Sequence, residues 1–217
     1  MPHQPSTLQP LLVATGNRHK IEEIRRILEG LTGTVGLRLL SAADYPHLAA
    51  PEETGATFEE NAVIKARAWA EATGRLTLAD DSGLAVDALD GRPGIHSARY
   101  AASDAECVAR VLREMEGQSA ARRAARFECV MALADPRGGA ATRRGVVLGR
   151  LTTAPRGRGG FGYDPIFELT QGRHAGRTTA ELSADDKNSI SHRSRALAAI
   201  APLIVRSLAE GRVRGEG

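Results

Sequence analysis

Two adjacent carboxylates, Asp80 and Asp81, interrupt the otherwise apolar, strand-like segment Leu78–Asp87. An isolated ionised carboxylate in apolar surroundings is very costly, so each needs a cation, a network of hydrogen-bond donors or a raised pKa. Glu52 and Glu53, in a preceding loop, could join Asp81 around a metal ion, because magnesium favours one or two carboxylates together with substrate phosphates. The alternatives are a solvated turn in which Asp81 caps backbone amides, and glutamates that only complement a helix dipole.

A second candidate site follows the first predicted strand, where Thr15, Gly16, Asn17 and Lys20 lie at the start of a helix. The free amides and the dipole of a helix N-terminus attract phosphate. In the simpler interpretation, Asn17 only caps the helix and Lys20 is solvated. The segment is not a Walker A loop, because the pattern G-x-x-x-x-G-K-[ST] is absent.

Two basic residues are predicted on the inner faces of their helices. At about 100° per residue, Lys65 lies about 20° from Phe58 and about 40° from Trp69, on the apolar face. An inward-facing lysine needs an anionic partner, or it must extend along the helix surface to reach water. Arg193 follows Ile190 by three residues and lies on the inner stripe of the C-terminal helix, close to its start.

A glycine-rich loop, Gly157–Gly162, matches the expression G-x-G-x-x-G but not its structural context. Pro165 follows it and argues against a helix that begins there, so a Rossmann dinucleotide site is excluded. Glycines around Phe161 and Tyr163 would let an aromatic ring and backbone amides reach a flat ligand. A flexible hairpin loop is the alternative interpretation.

Strands and helices must alternate along the chain to position these groups. Apolar patterns predict strands at residues 11–14, 37–40, 76–79, 84–88, 126–134 and 143–152, with a short strand at 166–167. Helices are predicted from residue 17, from capping boxes at Thr57 and Ser103, and from Ser183 onward. We expect a turn at Gly83 to separate the strands that flank the aspartate pair. The mixture predicts an α/β fold with a mixed sheet, in which strands 126–134 and 143–152 pair as a hairpin.

Composition excludes several classes of protein. The chain has 217 residues, 42% of them hydrophobic, and a formal charge of +3, which fits one globular domain. Aromatic residues make up only 4% of the chain, so a ladder that stacks single-stranded bases is not expected. Cys107 and Cys129 lack C-x-x-C spacing, which fits a reducing, cytoplasmic setting. The most apolar helix, residues 196–205, is expected to be interrupted by Pro202 and is too short to span a membrane.

Six motifs occur together in a fixed order. They are Thr15-Gly16-Asn17-x-x-Lys20, Glu52-Glu53-Thr54-Gly55, Glu60-Asn61-Ala62-x-x-Lys65-Ala66, Ala79-Asp80-Asp81-Ser82-Gly83-Leu84, Gly159-Gly160-Phe161-Gly162-Tyr163-Asp164-Pro165 and Ser191-His192-Arg193. Together they closely resemble the Ham1/RdgB family of inosine triphosphate pyrophosphatases. The resemblance extends from about Leu11 to the C-terminal helix, without a departure at these positions.

The resemblance implies an elongated mixed β-sheet with flanking helices and two lobes around a central cleft, a fold related to the Maf-like proteins. It implies a single domain over residues 11–212, after a disordered tail of residues 1–10, and a homodimer. The implied activity is Mg²⁺-dependent hydrolysis of ITP, dITP and XTP to the monophosphate and pyrophosphate. Such an enzyme removes non-canonical purine nucleotides before they enter DNA or RNA.

The resemblance also implies roles for individual residues. The triphosphate would be held by Thr15, Gly16, Asn17, Lys20 and Lys65. Glu53 and Asp81 would bind Mg²⁺, and Asp81 would also be the proton acceptor. The nucleoside pocket would consist of Ser82, Phe161, Gly162, Tyr163, Asp164, Lys187, His192 and Arg193, with Phe161 stacked on the base.

Two alternative functions remain from the sequence. One is a nucleotide pyrophosphatase of another base specificity, such as the Maf-like enzymes, against which the residues of the implied base pocket argue. The other is a non-catalytic nucleotide- or RNA-binding module. The adjacent carboxylates Asp80 and Asp81 argue against that module, because they repel phosphate unless a metal is bound. We therefore expect a small-molecule substrate, no nucleic acid partner and no association with a membrane.

Overall fold

The computed structural model describes residues 10–32 and 38–213, and these residues form a mixed α/β structure. The helices and strands are β1 (Leu11–Val13), α1 (Arg18–Thr32), β2 (Leu39–Ser41), α2 (Phe58–Thr73), β3 (Thr77–Val86), α3 (Asp104–Glu114), β4 (Ala124–Ala134), β5 (Ala140–Leu151), β6 (Phe167–Leu169), α4 (Ala184–Ile190) and α5 (His192–Val213). Apart from Pro10, the predicted N-terminal tail lies outside the described residues, as does Leu37 of the second predicted strand.

The sheet of the described chain has six strands in the order β2-β1-β3-β4-β5-β6. β1 pairs in parallel with β2 and β3. The other pairs, β3 with β4, β4 with β5 and β5 with β6, are antiparallel. The prediction of a mixed sheet is therefore confirmed. The predicted hairpin is also confirmed, with β4 and β5 in register from Ala124 opposite Arg150 to Ala134 opposite Ala140.

Capping residues fix two helix starts as predicted. The Thr57 hydroxyl accepts a hydrogen bond from the Glu60 amide at 3.1 Å, and the Glu60 carboxylate accepts one from the Thr57 amide at 3.1 Å, a complete capping box for α2. At α3, Ser103 accepts from the Glu106 amide at 3.2 Å. The Glu106 carboxylate instead accepts from the Ala102 amide, so only half of the second capping box forms.

The predicted turn at Gly83 is wrong, because β3 runs unbroken through Asp80, Asp81 and Gly83. The glycine is needed for a different reason. A Cβ atom at Gly83 would overlap the Ser97 hydroxyl and lie 2.5 Å from the carbonyl oxygen of Gly94. The short 3-10 helix Gly94–Arg99 thus packs directly against the backbone of β3, which only glycine permits.

The C-terminal segment also differs from the prediction. It consists of two helices, α4 and α5, which are separated by Ser191 in an extended conformation. α5 continues through Pro202, although proline in a helix interior removes one backbone hydrogen bond. The helix persists because Leu197, Ile200 and Ile204 are buried against the sheet. In the part of the chain that the structure describes, no helix is both long and apolar enough to cross a membrane.

Three apolar clusters form the core and lie at two ends of the long strands. Near the start of β3, α1 and α5 pack on one face of the sheet and α2 packs on the other. Near the end of β3, a third cluster joins Leu84, Val111, Phe127 and Phe167. The aspartate pair lies between these ends, which is the two-lobed arrangement that the resemblance implied.

Candidate active site

A cleft of about 450 Å³ opens between the two ends of the sheet. It is lined by every residue that the resemblance placed in the site: Thr15, Gly16, Asn17, Lys20, Glu53, Lys65, Asp81, Ser82, Phe161, Gly162, Tyr163, Asp164, Lys187, His192 and Arg193. These residues come from five of the strands and helices (α1, α2, β3, α4 and α5) and from several loops, and the fold brings them together. Their individual roles remain predictions.

Asp80 lies in the middle of β3 and is compensated by cations. Lys20 Nζ in the first turn of α1 lies 2.9 Å from Asp80 Oδ2, and Arg193 Nη2 lies 3.4 Å from the same oxygen. Burial by itself would raise the pKa of Asp80, but the charges of Lys20 and Arg193 outweigh it and hold the pKa well below its usual range. Asp80 is therefore ionised, and its role is to anchor two basic side chains in the cleft.

Lys65 on α2 faces inward, as its position on the apolar face predicted. Its Nζ atom lies 2.7 Å from Glu53 Oε1 and 3.1 Å from Asp81 Oδ1. Burial alone would lower the pKa of Lys65, yet the neighbouring aspartates and Glu53 raise it above its usual value, so the ammonium stays charged. Two carboxylates thus converge on one cation at the floor of the cleft.

Asp81 differs from its neighbour in its electrostatic surroundings. Burial raises the pKa of Asp81 above its usual value, and Lys65 offsets this only in part. For Glu53, burial also acts to raise the pKa, but hydrogen bonds and charge from Lys65 and Arg99 lower it overall. A carboxylate with a raised pKa in a cleft is a candidate for proton transfer.

Asn61 is a site residue that the sequence analysis did not select. It is fully buried, its Oδ1 accepts a hydrogen bond from the Gly55 amide at 2.8 Å, and its Nδ2 donates to Asp81 Oδ2 at 3.4 Å. Asn61 thereby ties the loop that carries Glu53 to the carboxylate of Asp81. The signal was present, because Asn61 lies about 40° from Lys65 on the same helix face.

The start of α1 has the geometry of a capped helix. Asn17 Oδ1 accepts hydrogen bonds from the amides of His19 at 3.0 Å and Lys20 at 3.3 Å, so Asn17 caps the helix. Lys20 is not solvated, because its ammonium pairs with Asp80. Asn17 in turn donates its amide to the Thr15 hydroxyl at 3.2 Å. A Cβ atom at Gly16 would meet no atom within 4 Å, so the backbone here is open to the cleft.

Arg193 is almost fully buried, at 1% exposure, on the inner face of α5 as predicted. It forms a close ion pair with Glu23 of α1 and donates to the Ser82 hydroxyl at 3.0 Å. Glu23 was not predicted as a site residue, and it lies three residues after Lys20 on the same side of α1. Within the described residues, Glu23 Oε1, Asp80 Oδ1 and Arg193 Nε are buried atoms without a hydrogen-bond partner.

The glycine-rich loop is ordered by Asp164, which is 2% exposed. Its carboxylate accepts hydrogen bonds from the Phe161 amide at 2.8 Å, from Lys187 Nζ at 2.5 Å and from the Thr179 hydroxyl at 2.7 Å. The Phe161 ring stacks on His19 with centroids 5.5 Å apart, and Lys187 Nζ lies 4.6 Å from the ring centroid. An aromatic surface is thus presented beside the basic groups of the cleft.

Tyr163 and His192 are buried and face the core of the protein. The Tyr163 hydroxyl donates to the carbonyl oxygen of Ser97 at 2.9 Å, and burial raises the pKa of the phenol. The His192 ring stacks on Phe127 with centroids 4.9 Å apart. Burial, together with the charge of Arg193, lowers the pKa of His192 well below its usual value, so the imidazole is neutral.

The residues of the cleft fit a magnesium ion only in part. No cluster of three or more histidine, cysteine, aspartate or glutamate side chains that could hold a metal is present in residues 10–32 and 38–213. Glu53 and Asp81 nevertheless direct carboxylate oxygens at one point, now taken by Lys65 Nζ. Two carboxylates are enough for magnesium when substrate phosphates and water supply the other oxygens.

Comparisons with known proteins identify the family of this chain. The model of the Ham1 family matches residues 11–203. A dITP/XTP pyrophosphatase from Geobacter sulfurreducens is 49% identical over 191 residues, which cover 87% of this chain and 92% of that protein. A protein of the same name from Symbiobacterium thermophilum is 47% identical over 93% of this chain and 98% of its own length. The structure of a HAM1 protein from Coxiella burnetii has a TM-score of 0.81 at 38% identity, and the match covers 92% of this chain and 100% of that one. The chain therefore belongs to the Ham1 family.

Proposed function

We propose that this chain hydrolyses the non-canonical purine nucleoside triphosphates dITP, ITP and XTP to the monophosphate and pyrophosphate. The observation that carries the proposal is the pairing of Lys20 with Asp80 and of Lys65 with Asp81 at the floor of one cleft, beside the ring of Phe161. The two lysines can bind a triphosphate, and the carboxylates can bind a metal ion and accept a proton from water. The Phe161 ring can stack on a base. The names of relatives that are 47% and 49% identical support the same activity.

Hydrolysis between the α- and β-phosphates needs neutralisation of the leaving pyrophosphate and a positioned water molecule. Lys20 and Lys65 supply positive charge, and the start of α1 offers the Thr15 hydroxyl, the Gly16 backbone and the Asn17 side-chain amide. No covalent nucleophile is required. The water attacks the α-phosphorus atom, and its proton passes to Asp81. The bond from the α-phosphorus to the bridging oxygen breaks, and pyrophosphate leaves.

Mg²⁺ is the proposed cofactor, held by Glu53 and Asp81. When bound, the ion neutralises phosphate charge and helps the pyrophosphate to leave. Lys65 then exchanges part of its contact with these carboxylates for contact with phosphate. Asn61 keeps Asp81 and the loop of Glu53 in place through its two hydrogen bonds.

Base selection follows from free hydrogen-bonding groups in the nucleoside pocket. Hypoxanthine and xanthine carry a 6-oxo acceptor and an N1–H donor, whereas adenine carries a donor and an acceptor at these positions. Arg193 lines the cleft, and its Nε is a buried donor without a partner among the described residues, which matches the 6-oxo acceptor. Guanine shares that oxygen and must be excluded near its 2-amino group. An unmatched buried polar group costs about 1–3 kcal/mol, which lowers the rate by a factor of about 10 to 100. Ser82, Gly162, Tyr163, Asp164, Lys187 and His192 complete the pocket.

We also propose an oligomeric state and a cellular location for the enzyme. The enzyme is a homodimer in the cytoplasm, as the resemblance implies, and its partner is a nucleotide and not a nucleic acid or a membrane. Size-exclusion chromatography with light scattering tests the dimer, since a monomer at working concentration contradicts it.

The direct test is pyrophosphate release from dITP, XTP, dGTP and dATP with Mg²⁺ and with EDTA. We expect rapid release from dITP and XTP with Mg²⁺, little from dGTP and dATP, and none with EDTA. Release from other nucleotides would favour a different base specificity. Absence of release from all four, with binding retained, would favour a non-catalytic nucleotide-binding module.

A further inference from the structure

We infer that Arg99 is a further phosphate-binding residue, whose guanidinium group leaves Glu53 and binds the phosphate chain when the triphosphate enters the cleft. The inference rests on the proposed function and adds a residue to it. Arg99 ends the 3-10 helix Gly94–Arg99 and lines the cleft.

Arg99 shares Glu53 with Lys65. Arg99 Nη1 lies 3.1 Å from Glu53 Oε2, and Lys65 Nζ lies 2.7 Å from Glu53 Oε1. Both oxygens of Glu53 are therefore occupied by cations. Glu53 cannot also serve a divalent ion with both oxygens while these two contacts persist. At least one cation must turn to another anion, and the incoming anion is the phosphate chain.

Arg99 is the cation that can exchange most easily. Its side chain is 52% exposed, whereas the side chains of Lys65 and Lys20 are 13% and 18% exposed. Lys65 also has Asp81 as a second partner, but Glu53 is the ion-pair partner of Arg99 among the described residues. An ion pair of a half-exposed arginine contributes little, so its replacement by a more highly charged anion is favourable.

The backbone that carries Arg99 is held firmly beside Asp81. The Ser97 hydroxyl accepts a hydrogen bond from the Leu84 amide at 2.9 Å and donates to the carbonyl oxygen of Gly94 at 2.6 Å. The absence of a side chain at Gly83 lets this 3-10 helix contact β3. Only the side chain of Arg99 therefore has to move, and a planar guanidinium can donate two parallel hydrogen bonds to a phosphate.

The variants that test this are Arg99→Ala and Arg99→Lys, with Arg92→Ala as the matched control. Arg92 lies on the same segment, is 54% exposed and pairs with Glu114 at 3.2 Å, but it does not line the cleft. Three quantities are measured at saturating Mg²⁺: KM for ITP, inhibition by pyrophosphate, and calorimetric binding of IMP. A Mg²⁺ titration of activity gives the Mg²⁺ concentration that each variant requires.

We expect Arg99→Ala to raise KM for ITP about tenfold or more and to weaken pyrophosphate inhibition by a similar factor. Arg99→Lys should recover part of this loss, IMP binding should change less than about twofold, and Arg92→Ala should resemble the unaltered protein. Unchanged KM and pyrophosphate inhibition in Arg99→Ala would overturn the inference. So would an equal loss of IMP binding, or a change confined to the Mg²⁺ concentration required, which would mean that Arg99 only positions Glu53.

The two proposals fail in different ways. If the unaltered protein releases no pyrophosphate from any triphosphate, the proposed function fails. If the unaltered protein is active and Arg99→Ala is equally active at low ITP concentration, only the role of Arg99 fails. Direct calorimetry of pyrophosphate with the unaltered protein and with Arg99→Ala tests that role independently of turnover.

Discussion

Asp80 and Asp81 are consecutive residues of β3, but their carboxylates lie on opposite faces of the sheet and meet different lysines. Asp80 pairs with Lys20 of α1 at 2.9 Å, and Asp81 pairs with Lys65 of α2 at 3.1 Å. The cause is the two-residue period of a strand, which directs successive side chains to opposite faces. These different surroundings lower the pKa of Asp80 and raise the pKa of Asp81, although the two residues are adjacent in sequence.

The two aspartates should respond differently to the same substitution. We expect Asp81→Asn to lower kcat by a factor of about 10²–10⁴, because the proposed general base is lost, while the fold stays intact. We expect Asp80→Asn to lower the free energy of unfolding by about 3–5 kcal/mol, because Lys20 and Arg193 lose a buried counter-charge. Pyrophosphate release and urea unfolding measure the two effects. Near-normal activity of Asp81→Asn would contradict the proposed role of this residue.

Substitutions of Arg193 and Glu23 should have strongly non-additive effects on the free energy of unfolding. Both side chains are buried, so Arg193→Met leaves an uncompensated carboxylate and should cost about 3–5 kcal/mol. Adding Glu23→Gln removes that charge and should restore part of the loss. Urea unfolding of both single variants and the double variant gives the coupling free energy, which we expect at about 1–3 kcal/mol. Additive losses would mean that the pair contributes nothing beyond its separate contacts.

Much of this structure follows from local sequence signals. Three features depend on patterns of nearby residues and can be predicted from sequence. They are the Thr57 capping box, the hairpin of β4 and β5, and the inward orientation of Lys65. The continuity of β3 does not, because it depends on the 3-10 helix that packs on Gly83 from eleven or more residues away. In the same way, α5 continues through Pro202 because distant apolar side chains cover the helix.

The motifs of the candidate site named the residues that line the cleft but not the residues that support them. Asn61 stood in a motif without a role, and Glu23 and Arg99 lay outside the motifs, yet each contacts a motif residue in the folded protein. A buried cation predicts that an anion must exist, yet it does not indicate which helix supplies it. That information lies in the packing of α1 against α5, which periodicity alone does not specify.

Arg123 should be a major contributor to stability outside the cleft. It is 6% exposed and donates to the carbonyl oxygens of Leu151 at 2.8 Å, Met115 at 3.0 Å and Thr152 at 2.6 Å. Arg123→Met leaves these acceptors without donors and should lower the free energy of unfolding by about 3 kcal/mol or more. The neighbouring, exposed Arg122 is the control, and Arg122→Met should change stability by less than about 0.5 kcal/mol. Equal effects of the two variants would contradict this assignment.

His192 should make the stability of the protein depend on pH. Because its native pKa lies well below its usual value, the unfolded chain binds a proton at about pH 6.5 that the folded protein does not accept. The contribution to stability is therefore complete above pH 6.5 and is lost as the pH falls below it. Between pH 7.5 and 5.5, this one group should lower the free energy of unfolding by about 1.4 kcal/mol.

The variant His192→Phe isolates this effect, since a phenyl ring can keep the stacking on Phe127 without titrating. Urea unfolding at pH 7.5 and 5.5 should give a smaller decrease for His192→Phe than for the unaltered protein, by about 1.4 kcal/mol. His47→Gln, at an exposed position, should leave the decrease unchanged. If His192→Phe loses as much stability at pH 5.5 as the unaltered protein does, His192 is protonated in the folded state and cannot be the neutral, stacked imidazole of this structure.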